Sequence, residues 1–563
     1  MANIMSQKNV RNHVHRNGFD LSFRNAFTAK PGQILPVFMK ETLPGDKWTI
    51  DVDSFTRTQP VQTAAFTRIQ EYYDFYFVPT SLLWDKFDNY IVQTNNYNHA
   101  SGLGKSPTSL QNHPFMTMQS VVSYLTTLRQ LENQGDYEAF DIFGMSRREN
   151  SLRLLNYLGY GDVEQLIASP GRWNDFSLNI FPLLAYQKVC QDYFRFSQWE
   201  TSKPYLYNLD YVFNQSQMNI PVDQYAGPVH RAKQSIFDLQ YCNYKKDMIT
   251  GLLPSPQFGD TAIASPLVGQ QRVGVTRINL LDGSTNIKDG FIADITANDR
   301  FNQPQSLGLS VFALRFAEVS QKWKEITQSG SLDFKEQIQK HWNVSVSDDS
   351  SYMSRWLGGT SNNIAINEVV NNNISSEDSQ ALIAGKGIGS SSKRGVVHFD
   401  CKHYGYIIGV YHAVPLLDWS DVGIERSMLK TTASDYAIPE FDNIGMEEVP
   451  NVLLDLSSVA RELPFGTLGY APRYYDYKMS QDKIRGAFLH GLRDWAAPIS
   501  QTLTDTFTEG LDWRAFKVSP SALDSIFLPQ AHADSSYDSD PFLVGAFFDT
   551  KVVRNLSVDG LPY

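Results

Sequence analysis

Tyr474, Tyr475 and Tyr477 are interleaved with Arg473 and Lys478, and Lys483 and Arg485 follow shortly after. Rings alternating with cations suit a single-stranded nucleic acid, because rings stack on bases while Arg and Lys neutralise phosphate. Protein–protein interfaces favour Tyr and Arg as well, and the interface is the reading we prefer for this run. Between Arg461 and Arg493 six basic residues stand against three acidic ones, a local charge of +3. A second group of cations lies at the N-terminus. Lys8, Arg11, Arg16, Arg24 and Lys30 oppose only Asp20 within the first thirty residues, five against one, giving +4. His13 and His15 add charge below neutral pH. Residues 1–30 read as a basic arm rather than a folded segment, suited equally to nucleic acid and to a neighbouring subunit.

Enzyme signatures are missing. The sequence has no HExxH, no GxSxG, no CxxC pair and no GxxxxGK[ST]. Gly385-Lys386-Gly387-Ile388-Gly389 mimics a phosphate loop with the wrong spacing and reads as a flexible loop. His398, Asp400, Cys401 and His403 resemble a metal cluster, yet on a strand they alternate between two faces and cannot converge. A structural role fits them better. Asp534, Asp538 and Asp540 offer oxygens for calcium but lack the Gly bend and closing Glu of an EF-hand loop, and read as a solvated acidic loop. Glu447 and Glu448 cannot be paired into a glycosidase couple from sequence. Sequons at Asn214, Asn343, Asn373 and Asn555 mean little without a secretion signal.

The elements that must position these groups come from a chain of 563 residues with 42% apolar and only 19% charged side chains. That is enough for a large core and too little charge for disorder. Aromatics reach 13%, which favours strands and subunit contacts. A net charge of −11 excludes wrapping of nucleic acid by overall charge. Cys190, Cys242 and Cys401 are too few and too far apart for a disulfide framework. MANIMSQKNVRNH lacks the apolar core of a signal peptide, and the apolar stretch Tyr404 to Leu417 is too short for a bilayer. Neither secretion by signal peptide nor membrane insertion is expected.

Strand signals occupy both ends. QILPVFMK from Gln33 leads into Pro44-Gly45-Asp46, a turn with Gly where φ is positive. Trp48, Ile50 and Val52 alternate with polar residues, as do Tyr73, Phe75 and Phe77. Strand character returns over Lys402 to Val414 and Val544 to Val553. Helical spacing marks Val121, Leu125 and Leu128, then Leu152, Leu155 and Leu158, then Leu183, Cys190 and Phe194. The strongest stripe is Phe312, Phe316, Val319, Trp323 and Ile326, expected to face the core. These elements predict a mainly β chain, a β-sandwich enlarged by helical excursions.

The blocks ILPVFMKETLPGDKW from Ile34, YYDFYFVPTSLLWDKFDNY from Tyr72 and FPLLAYQKVCQDYFRFSQWE from Phe181 resemble the major capsid protein of the Microviridae, small single-stranded-DNA phages. The likeness is nearest to the gokushovirus-like branch. It continues in family order through MITGLLPSPQFGD, HYGYIIGVYHAV and FGTLGYAPRYYDYKMSQDKIRGAF, from near Phe19 to the C-terminus.

The resemblance implies an eight-stranded jelly-roll β-sandwich with long helix-containing interstrand insertions. It implies sixty copies in a T=1 icosahedral shell around circular single-stranded DNA, assembled in the bacterial host cytoplasm. Implied partners are the chain itself, a small basic DNA-binding protein, genomic DNA on the inner surface and a host cell-surface receptor, with no membrane. No catalytic residue, cofactor or metal is implied. The expected layout is the arm at 1–30 and one jelly-roll domain over 31–563. Within it fall a helical insertion at about 95–175, a candidate threefold surface protrusion at about 257–305 and a mobile polar loop at about 361–393. The helical stretch from about His113 to Gly171 looks longer than in the family, and the protrusion segment more modest. The competing class is a carbohydrate-binding or carbohydrate-active β-sandwich surface protein; it needs a secretion route and a convergent carboxylate pair, and the sequence shows neither. A nucleic-acid-binding protein proper has only the two basic patches in its favour.

Overall fold

The computed structural model describes residues 15–61, 66–91, 113–168, 175–212, 228–229, 232–233, 235–259, 277–281, 287–291, 311–331, 333–347, 352–370, 383–420, 423–454, 467–480, 482–492, 495–496, 513–527 and 539–558. Eight strands build the centre: β1 (Phe23–Ala29), β2 (Leu35–Thr42), β3 (Lys47–Thr58), β4 (Ile69–Pro79), β5 (Arg355–Val370), β6 (Ile383–Asp400), β7 (Gly405–Pro415) and β8 (Phe542–Arg554). They form two antiparallel layers, β1-β8-β3-β6 and β2-β7-β4-β5. The layers join along one edge, where Ala365–Val370 of β5 pairs with Ile383–Ile388 of β6. This is the jelly-roll sandwich: strands remote in sequence pair while their connections grow.

The pattern of side chains explains the layers. In β3 and β8 every second residue is buried, so each strand has one core face and one outward face. Phe548 of one layer meets Phe38 and Phe75 of the other, with ring centroids 5.4 and 6.2 Å apart. Gly409 in β7 leaves room for them; a Cβ there would lie 2.8 Å from Phe38 Cβ and Phe75 Cε1. At Gly45 φ is +93°, as the Pro44-Gly45-Asp46 turn requires.

Three helices pack beside the sandwich, the third against the outer face of the second layer. They are α1 (Met118–Gln134), α2 (Arg147–Leu158) and α3 (Phe181–Tyr193). Thr117 and Ser146 cap the first two, which end on left-handed Gly135 and Gly159. All three predicted stripes face inward, from Val121, Leu125 and Leu128 to Leu183 and Cys190. Tyr193 of α3 lies 4.6 Å from Tyr76 of β4, so this strand is buried on both faces there. The three cysteines are free and buried.

Four expectations change. Residues Asn17–Asp20 and Phe23–Ala29 are strands paired to β8, so the basic arm does not extend to residue 30. Its cations at Arg16 and Arg24 occupy exposed positions while Phe27 and Ala29 point inward, and the charge masked the alternation. Most of the polar stretch 361–393 lies in β5 and β6 instead of a loop, with residues 371–382 outside the described residues. Gly387 of the phosphate-loop mimic sits in β6, where a Cβ would lie 2.6 Å from Thr58 Cγ2, so the position requires glycine. Asp540 is fully buried instead of solvated, held by Arg153; Asp534 and Asp538 lie outside the described residues.

The fourth change concerns α4 (Val311–Gln328), which packs against α5 (Phe334–Trp342). The helix forms as predicted, but Phe316, Val319 and Trp323 of its stripe are 65, 65 and 53% exposed. Trp323, Thr327, Ile338 and Trp342 line a groove of about 540 Å³. Amphipathic spacing does not say what the apolar side packs against.

Candidate nucleic-acid and subunit interfaces

The tyrosine run is built as a small second core. A strand Thr467–Pro472 pairs with Met446–Pro450, and the chain then turns into a short helix, Tyr475–Lys478. Tyr474 carries the turn with φ +59°, a left-handed conformation unusual for a bulky residue. Both Tyr474 and Tyr475 are buried, the latter among Met248, Val449, Leu453 and Leu468. Neither ring is available to a base. Tyr477 is exposed, with Lys430 Nζ 3.8 Å from its ring centroid.

Acidic partners from Glu425 to Asp476 cancel most of the local charge. Lys478 bonds Asp442 at 2.5 Å, Lys483 and Arg485 share Glu425 at 2.5 and 2.9 Å, and Lys430 pairs with Asp476. The Lys483 hydrogen bond holds the Glu425 carboxyl below its usual range. Arg473 lies 5.1 Å from the Tyr474 ring. Arg461 and Arg493 lie outside the described residues. Among the described residues Lys478, Lys483 and Arg485 therefore do not form a basic surface; sequence spacing hides acids that the fold brings back.

Of the N-terminal cations, Lys8 and Arg11 lie outside the described residues. Arg16 donates to the Gly45 carbonyl at 2.7 Å, beside the β2–β3 turn. Arg24 stands exposed in β1. Among the described residues neither of these two meets the tyrosine run. His398 and Asp400 are exposed while Cys401 is buried, its thiol donating to the His403 carbonyl at 2.9 Å. Among the described residues no group of His, Cys, Asp and Glu converges as a metal site. Glu447 and Glu448 are successive residues of one strand, which point to opposite faces and so cannot act on one bond.

The outward face of the first layer was missed at the sequence level. Arg24 and Phe547 are opposite each other on β1 and β8, and Phe55 and Arg57 lie on β3. Phe55, Phe547, Leu543 and Ile388 remain 41 to 45% exposed. The Arg57 guanidinium lies 5.1 Å from the Phe55 ring centroid. Alternation within β3 and β8 was the available signal, but strand pairing was needed to bring these residues together.

Among the described residues no helix is long and apolar enough to cross a membrane. A family model described as capsid protein (F protein) matches residues 8–133 and 160–562. The chain is 22% identical over 556 residues to capsid protein VP1 of Chlamydia phage 1, covering 84% of each chain. It is also 22% identical over 595 residues to capsid protein VP1 of Bdellovibrio phage phiMH2K, covering 98% of this chain and 96% of that one. The residues passed over by the family model, 134–159, contain α2 and fall inside the helical stretch that looks longer than in the family.

Proposed function

The chain belongs to the capsid protein (F protein) family, as a structural major capsid protein of a bacteriophage of the Microviridae type, and we propose that it forms a T=1 icosahedral shell of sixty copies around circular single-stranded DNA. One observation carries this reading within the family: the sandwich leaves apolar surface uncovered. Val319, Trp323 and Trp342 on α4 and α5 are 65, 53 and 73% exposed, the last two beside an apolar groove, and clustered exposed large apolar side chains mark contact surfaces. Contact between copies would cover it.

In this reading the chain is one jelly-roll domain with insertions at about 95–175 and about 257–305, the second carrying the surface protrusion that meets a host receptor. It performs no catalysis. Assembly takes place in the bacterial cytoplasm, which suits free buried thiols. Each copy brings −11, so sixty copies add negative charge to a negative genome. A small basic DNA-binding protein supplies the balance, together with local cations such as Lys8, Arg11, Arg16 and Arg24. The buried Tyr474 and Tyr475 and the internally paired Lys478, Lys483 and Arg485 speak against a nucleic-acid role for that run and leave the exposed Tyr477 as its ring available to a neighbouring copy.

The test is nuclease protection. Particles purified from cells that carry the whole phage genome should hold nuclease-resistant single-stranded DNA. Particles assembled from this chain alone should not retain it at physiological salt. Tight packaging by the chain alone would refute the need for a basic helper.

A further inference from the structure

We propose that the outward face of the β1-β8-β3-β6 layer is a docking surface for single-stranded DNA, with Phe55 and Phe547 as stacking platforms and Arg24 and Arg57 as phosphate contacts. The inference deepens the proposed function and rests on it, since it names where the enclosed strand touches the shell.

Register places the four residues together. Arg57 lies opposite Leu543 on β8 and Ile388 on β6, and Phe55 opposite Gly545 and Ser390. Phe547 lies opposite Arg24 and Asp53. Phe55 and Phe547 are thus diagonal neighbours on adjacent strands, about 7–8 Å apart for such pairs. Between them Gly545 contributes bare backbone; a Cβ there would meet only Arg24 Nη2 and the Phe55 carbonyl, both 3.8 Å away. The result is an open floor with two rings standing on it.

Charge along this face is uneven. At one end Arg394 is shared among Asp51, Asp53 and Asp549, and Lys551 also leans on Asp549. Asp53 shares a row with Arg24 across Phe547, but it is held by Arg394 and Ser392. Neither Arg24 nor Arg57 has a carboxylate partner among the described residues, and Ala26, Ser390, Leu543 and Ile388 beside them carry no charge. Two unpaired guanidiniums beside two half-exposed rings match phosphate and base together. A purely apolar contact between copies would not need the arginines, and it would bury them unpaired at a cost. The other layer is no alternative, because α3 covers its outer face at Tyr76.

The test uses the full chain, a labelled 20-nucleotide oligo-dT, fluorescence anisotropy over a salt series, and sedimentation of the same samples. Phe55→Ala/Phe547→Ala should weaken binding at least tenfold and leave the salt slope unchanged. Arg24→Gln/Arg57→Gln should weaken binding and lower the slope by about 1.4, two contacts at ~0.7 each. Phe55→Trp/Phe547→Trp should retain binding, which separates stacking from damage to the fold. A duplex of equal length should bind more weakly than the single strand. The proposal is overturned if the alanine pair binds as the parent does, or if it loses assembly while binding is kept, which would make the face a contact between copies. Unassembled wild-type chain that ignores oligo-dT yet still goes on to form shells would overturn it too and leave the shell reading standing. Failure to assemble at all would instead count against the shell reading.

Discussion

Arg153 and Asp540 are 387 residues apart in sequence, yet their side chains meet at 2.9 Å with both groups buried. Arg153 also donates to Gln33 at 2.7 Å, and Asp540 accepts from Thr28 at 2.5 Å. The pair ties α2 to the entry of β8 and to the first strands. Its Arg comes from the stretch that the family model passes over. A helix outside the family match is thereby locked into the sandwich by a charge that cannot be left alone.

Removing one partner should therefore be costly. Arg153→Met is expected to destabilise the unassembled chain by about 3–5 kcal/mol, because Asp540 then stays buried without its cation. Arg153→Met/Asp540→Leu should recover part of that loss. Urea unfolding followed by tryptophan fluorescence reads both; a single-variant loss under about 0.5 kcal/mol would deny the pair this role.

His412 supplies a pH dependence. It is buried in β7, stacked on Tyr72 at 4.9 Å and edge-on to Phe194 at 5.1 Å, and burial pushes its pKa down from 6.5 to about 3. The unfolded chain takes up a proton near pH 6.5 and the folded chain does not. Its contribution is thus complete above about pH 6.5 and lost as pH falls toward 3, by up to about 1.4 kcal/mol per unit. Buried Glu71 works oppositely: its pKa is raised, so its contribution is present below its ordinary value and lost as pH rises. Comparing His412→Phe with the parent isolates the first effect. Relative to pH 7, the variant should gain about 2 kcal/mol at pH 5. Parallel stability curves between pH 7 and 5 would contradict the assignment.

The tyrosine run separates core from surface within three residues. Tyr475→Ala should cost about 3–5 kcal/mol, in the range for buried aromatics. Tyr475→Phe should be nearly neutral, as its hydroxyl has no hydrogen-bond partner among the described residues. Tyr477→Ala should cost no more than about 1 kcal/mol, the worth of an exposed cation–π contact with Lys430. Thermal melts of the three variants provide the ordering, and an equal cost for Tyr475→Ala and Tyr477→Ala would contradict the burial.

Truncation tests where the fold begins. Deleting residues 2–14 should leave a folded chain with impaired assembly or genome retention. Extending the deletion through Ala29 removes strands paired along β8 and exposes Phe548, and soluble folded protein should be lost. Circular dichroism and sedimentation distinguish the outcomes. Folded monomer after the longer deletion would show these strands to be dispensable.

Much of the sandwich was legible because alternation survives wherever one face meets solvent, as around Trp48, Ile50 and Val52. β5 and β6 were not, since their Gly, Ser and Asn residues answer to close packing at Gly387 and to exposed outer positions rather than to strand propensity. The site was less legible than the fold. Tyr474 and Lys483 looked like a basic aromatic patch because local sequence cannot show that Glu425 returns to them. The Arg24, Phe547, Phe55 and Arg57 grouping draws on three strands up to 523 residues apart, 547 minus 24, and only pairing reveals it.

The central claim is that copies of this chain close into a shell of one size. Negative-stain electron microscopy of the purified full-length protein tests it most directly. The account predicts uniform isometric particles of a size fitting sixty copies; monodisperse monomers across a range of salt and pH would contradict it.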